Sequence, residues 1–292
     1  MDRNFINDIA KLAQRALLYE ATLFPKPGLV DPISCGAHRD MDIYTFIDSS
    51  VALGDAFSDF VKIGADYANE EPKFVQKLLR ERGISAEAEM FRATNHINTH
   101  KGIIYSMAFC LCAAGRIFAN EKFASRKTTG DGLIAELLEE VRALSSGILK
   151  RDMEKAIHKK ERTMGERLYL ENGIGGVRGE VEAGLPTAKM AYDFLISTSL
   201  SQESLLTALL KIMATNCDTN VISRGGFGLL DEVKKRSQRI LESERDNLQE
   251  ALSEMDKWCI EQNISSGGSA DLLSIAIFLY LLNQVGEKRW KN

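Results

Sequence analysis

The chain has 292 residues, 45% hydrophobic and 27% charged, a composition typical of a globular protein with enough length to bury a sizeable core. Its net charge of −4, with basic residues interleaved among acidic ones, disfavours nucleic acids and anionic membrane surfaces as partners. The charged N-terminus and the shortness of the most apolar run (272–282) predict neither export nor a membrane anchor.

Helical periodicity begins with the first segment, where apolar residues between Phe5 and Glu20 recur at three-and-four spacing and form one stripe. The same period returns along the chain, whereas alternating β-branched runs are hard to find. No internal repeat or clear linker divides the chain, so we predict an all-α fold, a single multi-helix bundle over 1–292. The predicted helices are 5–20, 42–66, 72–96, 99–118, 131–158, 180–198, 201–214, 228–260 and 270–285.

The breaks between these helices share an unusual character. Three of the five prolines make 25–32 a rigid connector, and four further breaks couple glycine or asparagine to charged or hydroxyl groups before a helix. They are 96–102, 172–180, 216–226 and 263–271, whereas the join at 120–132 is polar with no sign of a site. Helix N-termini offer unpaired N–H groups and a partial positive charge, so we predict a phosphate-binding site built from interhelical loops and helix N-termini.

The connector leads into "GAHRDMD" (36–42), which concentrates charge beside a segment that cannot be helical. Lys26 can contact a phosphate, while His38, Asp40 and Asp42 can ligate a cation or move protons. The alternative is that Asp40 or Asp42 caps the following helix and His38 is a surface residue.

The break "NTHKG" (98–102) places Asn98 or Thr99 at a helix N-cap and His100 and Lys101 in the first turn. Cations there oppose the helix dipole by roughly 0.3–1 kcal/mol each, which favours a bound anion. The alternative is an exposed basic turn that needs no ligand.

The stretch "GIGGVRGE" (173–180) has the wrong glycine spacing for a dinucleotide fingerprint and follows no strand. It presents Arg178, which suits a phosphate, and Glu180, which suits a metal ion or a sugar hydroxyl. The alternative is a glycine C-cap followed by a helix with acids in its first turn.

Two later stretches, "DTNVISRGG" and "SSGGSADLL", each place an acid before an apolar helix. Asp218 and Asp271 can be general acids or bases or magnesium ligands, and Arg224 can contact a phosphate; alternatively Asp218, Ser269 and Asp271 are ordinary caps. No GxxxxGK[ST], HExxH or GxSxG pattern occurs, which excludes P-loop, zincin and α/β-hydrolase sites. The five cysteines, an odd count, are scattered along the chain (Cys35, Cys110, Cys112, Cys217 and Cys259), which favours a reducing cytoplasm over a disulfide framework or a zinc site.

Taken in order, "PKPGLVD", "GAHRDMD", "NTHKG", "GGVRGE" with "GLPTA", "DTNVISRGG" and "GGSADLL" resemble the triphosphoribosyl-dephospho-CoA synthase family. That family comprises the citrate lyase accessory enzyme and its malonate decarboxylase counterpart, and the resemblance runs from about Glu20 to Leu282. It implies a cytoplasmic pentosyltransferase that joins the ribose of ATP to a ribose hydroxyl of 3'-dephospho-CoA and releases adenine. The product would be the prosthetic-group precursor of an acyl carrier protein, passed on to a holo-synthase.

For this reaction we hypothesise the following roles for the candidate residues. Magnesium would accompany the triphosphate, held by Asp40, Asp42 and Glu180. Asp218 or Asp271 would deprotonate the acceptor hydroxyl, and His38 would be the acid toward adenine. The phosphate and substrate contacts would be Lys26, Asn98, His100, Lys101, Arg178, Arg224 and Ser269.

Two other classes of protein fit the same residues. A metal-dependent all-α hydrolase of nucleotides or ADP-ribose linkages would use water as the acceptor, and a helical scaffold would bind ATP without turnover. The residues alone leave these alternatives open, together with whether the chain forms a homo-oligomer.

Overall fold

The computed structural model describes residues 2–120, 130–243 and 248–291, and every regular element in these ranges is an α-helix, which confirms the predicted fold class. Most of the join predicted over 120–132 lies outside the described residues. The helices are α1 (Arg3–Ala21), α2 (Ile43–Ala52), α3 (Gly54–Asp66), α4 (Pro72–Ala93), α5 (Lys101–Ala119), α6 (Asp131–Ser145), α7 (Ile148–Ile157), α8 (Met164–Asn172), α9 (Gly176–Glu182), α10 (Pro186–Thr198), α11 (Gln202–Thr215), α12 (Thr219–Glu242), α13 (Leu248–Glu261) and α14 (Gly267–Lys291).

Four predicted helices are interrupted, and one helix, α8, was not predicted. The segment 131–158 breaks at Gly147, which adopts the left-handed conformation with φ of 74°. The segment 180–198 breaks where Gly184, also at positive φ, precedes Pro186 at the start of α10. The segment 42–66 divides at Leu53. The prediction over 228–260 was wrong at its start and middle, because α12 begins at Thr219, bends at Gly226, and ends before α13.

The most apolar helices, α5 and α14, lie inside the bundle. By length and composition, both helices are long and apolar enough to cross a membrane. The run 272–282 alone is too short for this, but α14 extends well beyond that run. Most of each apolar window is buried against other helices, as in the core helix of a globular fold. Ile103 and Met107 of α5 and Phe278 of α14 are fully buried.

Helices α3 and α5 approach each other at two glycines. A Cβ built on Gly64 would lie 2.0 Å from the carbonyl oxygen of Cys112, and one on Gly115 would lie 2.1 Å from that of Val61. Both neighbours are backbone atoms, so only glycine permits this separation of the two helix axes. The contact fixes α5, whose N-terminus reaches the site described below.

Helix α1 packs against α14. The connector that follows α1 is held by hydrogen bonds within itself and by one to α13. Asp31 accepts hydrogen bonds from the backbone N–H groups of Lys26, Ile33 and Ser34. The N–H of Gly28 donates to Asp256 of α13 at 2.8 Å. The bond to Asp256 ties the connector to α13, and Lys26 turns back toward the end of α1.

Candidate active site

All five predicted breaks meet at one cavity of about 570 Å³. Its lining comes from the connector and "GAHRDMD", from the starts of α5, α9, α12 and α14, and from the end of α1. Ten of the residues proposed from the sequence line it: Lys26, His38, Asp40, Asn98, His100, Lys101, Glu180, Asp218, Arg224 and Asp271.

Three residues proposed from the sequence do not line the cavity. Asp42 caps α2 in a capping box with Thr45, whose N–H and hydroxyl hold the pKa of the Asp42 carboxyl below its usual value. Arg178 forms an ion pair with Asp152 of α7 at 3.3 Å. Ser269 is buried behind the lining, where its hydroxyl contacts Asp218. The expected placements of Asp42 and Arg178 therefore need correction, because each side chain is engaged with another partner.

Five titratable lining residues, which we call the floor, are the buried Glu20, Lys26, His100 and Asp218 and the half-buried Asp271. Lys26 is only 2% exposed, and its Nζ lies 2.5 Å from Oε1 of Glu20 and donates to the Glu20 carbonyl at 2.8 Å. Glu20 is itself 4% exposed. Lys26 therefore neutralises Glu20 and is not the free phosphate contact that was expected.

His100 is the N-cap residue of α5 and lies just before the first turn. Its Nδ1 is 2.6 Å from the hydroxyl of Ser49, which accepts a hydrogen bond from Thr99. Burial, reinforced by the charge of Lys26, lowers the pKa of His100 to about 3. The imidazole is consequently neutral near pH 7, and His100 does not supply the cationic charge that was expected.

Asp218 caps α12 and also ties that helix to α14. Its Oδ1 accepts from the N–H of Asn220 at 2.9 Å, and its Oδ2 accepts from the N–H and hydroxyl of Ser269 at 2.8 and 2.9 Å. Burial raises the pKa of the Asp218 carboxyl, while these hydrogen bonds oppose the rise. The capping alternative therefore holds for this residue, which also lines the cavity.

Asp271 differs from Asp218 although both precede apolar helices. Its carboxyl is partly exposed to the cavity and makes no hydrogen bond or ion pair with any residue in the described ranges. Oδ2 lies so close to Gly102 that a Cβ there would be 2.2 Å away. Burial, followed by the charges of Glu20 and Asp218, raises the pKa of Asp271 well above its ordinary value. Asp271 is thus a carboxyl directed at the cavity that favours its protonated form.

Five further charged or titratable lining residues, which we call the rim, are the exposed Arg39, Asp40 and Lys101 and the half-buried His38 and Arg224. Nε2 of His38 is 2.9 Å from the hydroxyl of Ser265. Arg224 donates to the carbonyl oxygens of Ala37 and Asn263, and its other terminal nitrogen is 3.5 Å from both ring nitrogens of His38.

The charge state of His38 follows from these neighbours. Burial and then the Arg224 guanidinium lower its pKa, while Asp40 opposes them more weakly. The ring is therefore mainly neutral at pH 7, which suits a proton acceptor better than the proton donor expected from the sequence.

The acids proposed for magnesium are not assembled into a metal site. Glu180 lines the cavity but accepts a 2.6 Å hydrogen bond from the N–H of Thr187, and Asp40 lies across a 3.8 Å contact from His38. Asp42 points elsewhere, as described above. Among the described residues, no group of three or more His, Cys, Asp or Glu side chains is placed to hold a metal ion. The donor set therefore does not fit a resident magnesium ion.

Sequence reasoning missed Glu20 and Arg39. Glu20 falls on the apolar stripe of α1, four positions after Ala16, and a charged residue on a buried stripe is a recognisable signal for a buried ion pair. Arg39 lies within "GAHRDMD" and lines the rim as an exposed residue, although its position among other charges in the sequence does not distinguish it.

Comparison with known proteins gives a consistent result. A family model described as "ATP:dephospho-CoA triphosphoribosyl transferase" matches residues 6–289. A 2-(5''-triphosphoribosyl)-3'-dephosphocoenzyme-A synthase of Haemophilus ducreyi is 38% identical, covering 95% of this chain and 89% of the relative. A relative in Streptococcus equi subsp. zooepidemicus, named a probable synthase of the same compound, is 39% identical over 98% of this chain and 100% of its own length.

The fold has a counterpart among solved structures. The crystal structure of a protein proposed to be a triphosphoribosyl-dephospho-CoA synthase, from Archaeoglobus fulgidus, superposes with a TM-score of 0.52. It covers 82% of this chain and 98% of its own, at 18% identity, so the similarity concerns the fold.

Proposed function

Because the chain belongs to the ATP:dephospho-CoA triphosphoribosyl transferase family, we propose that its cavity joins the 5-triphosphoribosyl group of ATP to a ribose hydroxyl of 3'-dephospho-CoA and releases adenine. One observation carries this proposal: the segments that resemble the family's motifs, far apart in the chain, all contribute to a single cavity. The product would serve as the prosthetic-group precursor of an acyl carrier protein and pass to a holo-synthase.

The distribution of charge supports the orientation of ATP. Breaking an N-glycosidic bond develops positive charge at C1' and negative charge on the leaving base, which a carboxyl-rich surface with a proton donor accommodates. We place the ribose and adenine against the floor, and the triphosphate against the cations of the rim, Arg39, Lys101 and Arg224. The first-turn N–H groups at Gly267 and Gly268 of α14 also line the cavity and suit a phosphate oxygen.

The directions of the pKa shifts of His38 and Asp271 support one assignment of proton acceptor and proton donor. His38 accepts the proton of the acceptor hydroxyl as that oxygen forms its bond to C1'. The C1'–N bond breaks, its electron pair goes to adenine, and Asp271 donates a proton to the departing base. This division reverses the roles first assigned to the two residues, since His38 favours its neutral form and Asp271 its protonated form. Asp218 holds the starts of α12 and α14 together and so orients Asp271.

Magnesium has no part in the bond-making and proton-transfer steps of this scheme. We propose that it enters as the counter-ion of ATP, because the acids described do not assemble a site of their own. The five free cysteines fit a reducing compartment, and we propose the cytoplasm as the place of action.

The decisive experiment incubates the purified protein with MgATP and 3'-dephospho-CoA and follows the products by mass spectrometry. We expect the ribosylated coenzyme together with one adenine for each product molecule. The family match supports this transfer and does not support the metal-dependent hydrolase. Adenine or phosphate release at an equal rate without 3'-dephospho-CoA would contradict the proposal, and so would ATP binding without turnover.

The role of His38 predicts a shift in the pH dependence of turnover. Protonated His38 cannot accept a proton, so turnover should fall as the pH drops through the pKa of His38, which lies below its ordinary value of about 6.5. Replacing Arg224 with Gln removes a charge that lowers this pKa. The acid limb of kcat/KM should therefore move to higher pH. Arg39→Gln is the matched control. This substitution should weaken ATP binding, but Arg39 is not among the charges that shift the pKa of His38. Acid limbs at the same pH in the Arg224 and Arg39 variants would contradict the role of His38.

A further inference from the structure

The floor of the cavity contains more carboxyl groups than cations. Glu20, Asp218 and Asp271 line it together with one ammonium group, that of Lys26. Lys26 is engaged with Glu20 at 2.5 Å, and Asp218 is engaged with backbone and hydroxyl donors of Asn220 and Ser269. Asp271 is the carboxyl of the floor that has no such partner within the described ranges.

The titratable groups that line the cavity with Asp271 come from several elements. Glu20 comes from the end of α1, Lys26 from the connector, His100 from the start of α5, Asp218 from the start of α12, and Glu180 from α9. Of these, Glu20 and Asp218 are the charges that act on Asp271. His100 is neutral and Lys26 is already paired. An ionised Asp271 would therefore face other carboxylates at low local dielectric, and a bound triphosphate would increase that repulsion.

Like-charged carboxyls in one site do not both ionise, and the group without a compensating partner keeps the proton. Glu20 is locked in its position by Lys26 through the side chain and the backbone carbonyl. Its charge therefore stays fixed beside Asp271 throughout the reaction. The Glu20–Lys26 ion pair would therefore affect the protonation of Asp271, which an ion pair with only a structural role would not do.

We propose that Glu20, fixed by Lys26, is a positioning residue that holds a proton on Asp271 for transfer to departing adenine. The inference rests on the proposed function, in which adenine leaves with the electron pair of the C1'–N bond. The proton that His38 takes from the acceptor hydroxyl returns through solvent to Asp271, so protons balance over one turnover. Glu20 acts through Asp271, because its own carboxylate is engaged with Lys26.

The test is Glu20→Gln, examined by the pH profile of turnover. Removing the Glu20 charge lowers the proton affinity of Asp271 and frees Lys26 to approach it. The alkaline limb of kcat should then move to lower pH by about one unit or more, as expected for loss of a close charge in a buried site. An alkaline limb at the wild-type position would overturn the proposal.

A second readout requires no substrate. The carboxylic-acid C=O band of Asp271 can be followed by infrared difference spectroscopy, assigned as the band lost in Asp271→Asn. It should persist at neutral pH in the wild type and titrate at lower pH in Glu20→Gln. Absence of the band in the wild type would overturn the inference about Glu20 even if the transferase reaction proceeds. A normal band in a protein that makes no ribosylated coenzyme would instead count against the proposed function.

A matched control separates this role from stability. Glu166 also has a buried carboxyl paired with a lysine, Lys159, at 2.6 Å, but it lies outside the cavity. Glu166→Gln should lower stability and leave both limbs of the pH profile unchanged. If Glu20→Gln does not fold, the double variant Glu20→Gln/Lys26→Met removes both charges and provides the same test, with the limb again expected at lower pH.

Discussion

Replacing Asp271 with Asn should reduce adenine release by about 10²- to 10⁴-fold, the usual contribution of a positioned general acid. The side chain keeps its size but loses the proton that the leaving base requires. Binding of ATP should change little, because the triphosphate is held at the rim. The measurement is single-turnover adenine release at saturating ATP, together with the dissociation constant of ATP.

The same substitution should increase stability at alkaline pH. A carboxyl whose pKa is higher in the folded than in the unfolded state binds more protons when folded, so stability falls as the pH rises above its unfolded value of about 4. The amide side chain of the variant does not ionise and carries no such penalty. The unfolding free energy of the variant should therefore exceed that of the wild type at pH 8, with the difference vanishing near pH 3.

The control for Asp271 is Asp256→Asn. Burial also raises the pKa of Asp256, but this residue accepts a hydrogen bond from Gly28 and lies outside the cavity. Its substitution should leave adenine release within a few-fold of the wild type. Equal losses of adenine release in the Asp271 and Asp256 variants would show that Asp271 is not the proton donor.

The close contact between α3 and α5 predicts the second large effect. Gly64→Ala should lower the unfolding free energy by about 1–3 kcal/mol, as expected for an overpacked core, because the added methyl group meets the Cys112 carbonyl at 2.0 Å and a backbone atom cannot turn aside. Urea unfolding measures the loss. Since α5 leads to His100 and Gly102 at the floor, turnover should fall as well.

A second glycine provides the matched control. Gly83 lies within α4 and a Cβ there would meet nothing within 4 Å. Gly83→Ala should raise the unfolding free energy by about 0.5–1 kcal/mol, because alanine loses less conformational freedom in a helix. Destabilisation by both substitutions would show that the α3–α5 contact is not the cause.

The helices could be predicted from their periodicity, but several of their interruptions could not. Leu53 separates α2 from α3 while keeping helical φ and ψ values, and it is fully buried, so its sequence context resembles a continuous helix. Gly147 and Gly184 were visible in the sequence, yet a single glycine is also tolerated inside a helix. Tertiary packing decides between these outcomes.

The segments that form the candidate site could be predicted from the sequence, but the roles of their individual residues could not. Proline, glycine and helix-start signals identified the five breaks that line the cavity. Asp218 and Asp271 have similar sequence contexts, however, and only their hydrogen-bond partners distinguish the capped carboxyl from the unpartnered one. Arg178 was misplaced because its partner Asp152 lies on another helix, α7, and cannot be identified from composition or spacing. Asp42 is instead the helix cap that was the stated alternative for it.

The packing of α1 against α14 has a consequence for how the enzyme is made. Glu20 lies at the end of the first helix described and Asp271 near the start of the last one, so the floor joins residues that are far apart in the chain. A growing polypeptide exposes α1 to solvent long before its partner leaves the ribosome. We therefore expect a chain without α14 to lack the transferase activity, which should arise when α14 docks against α1.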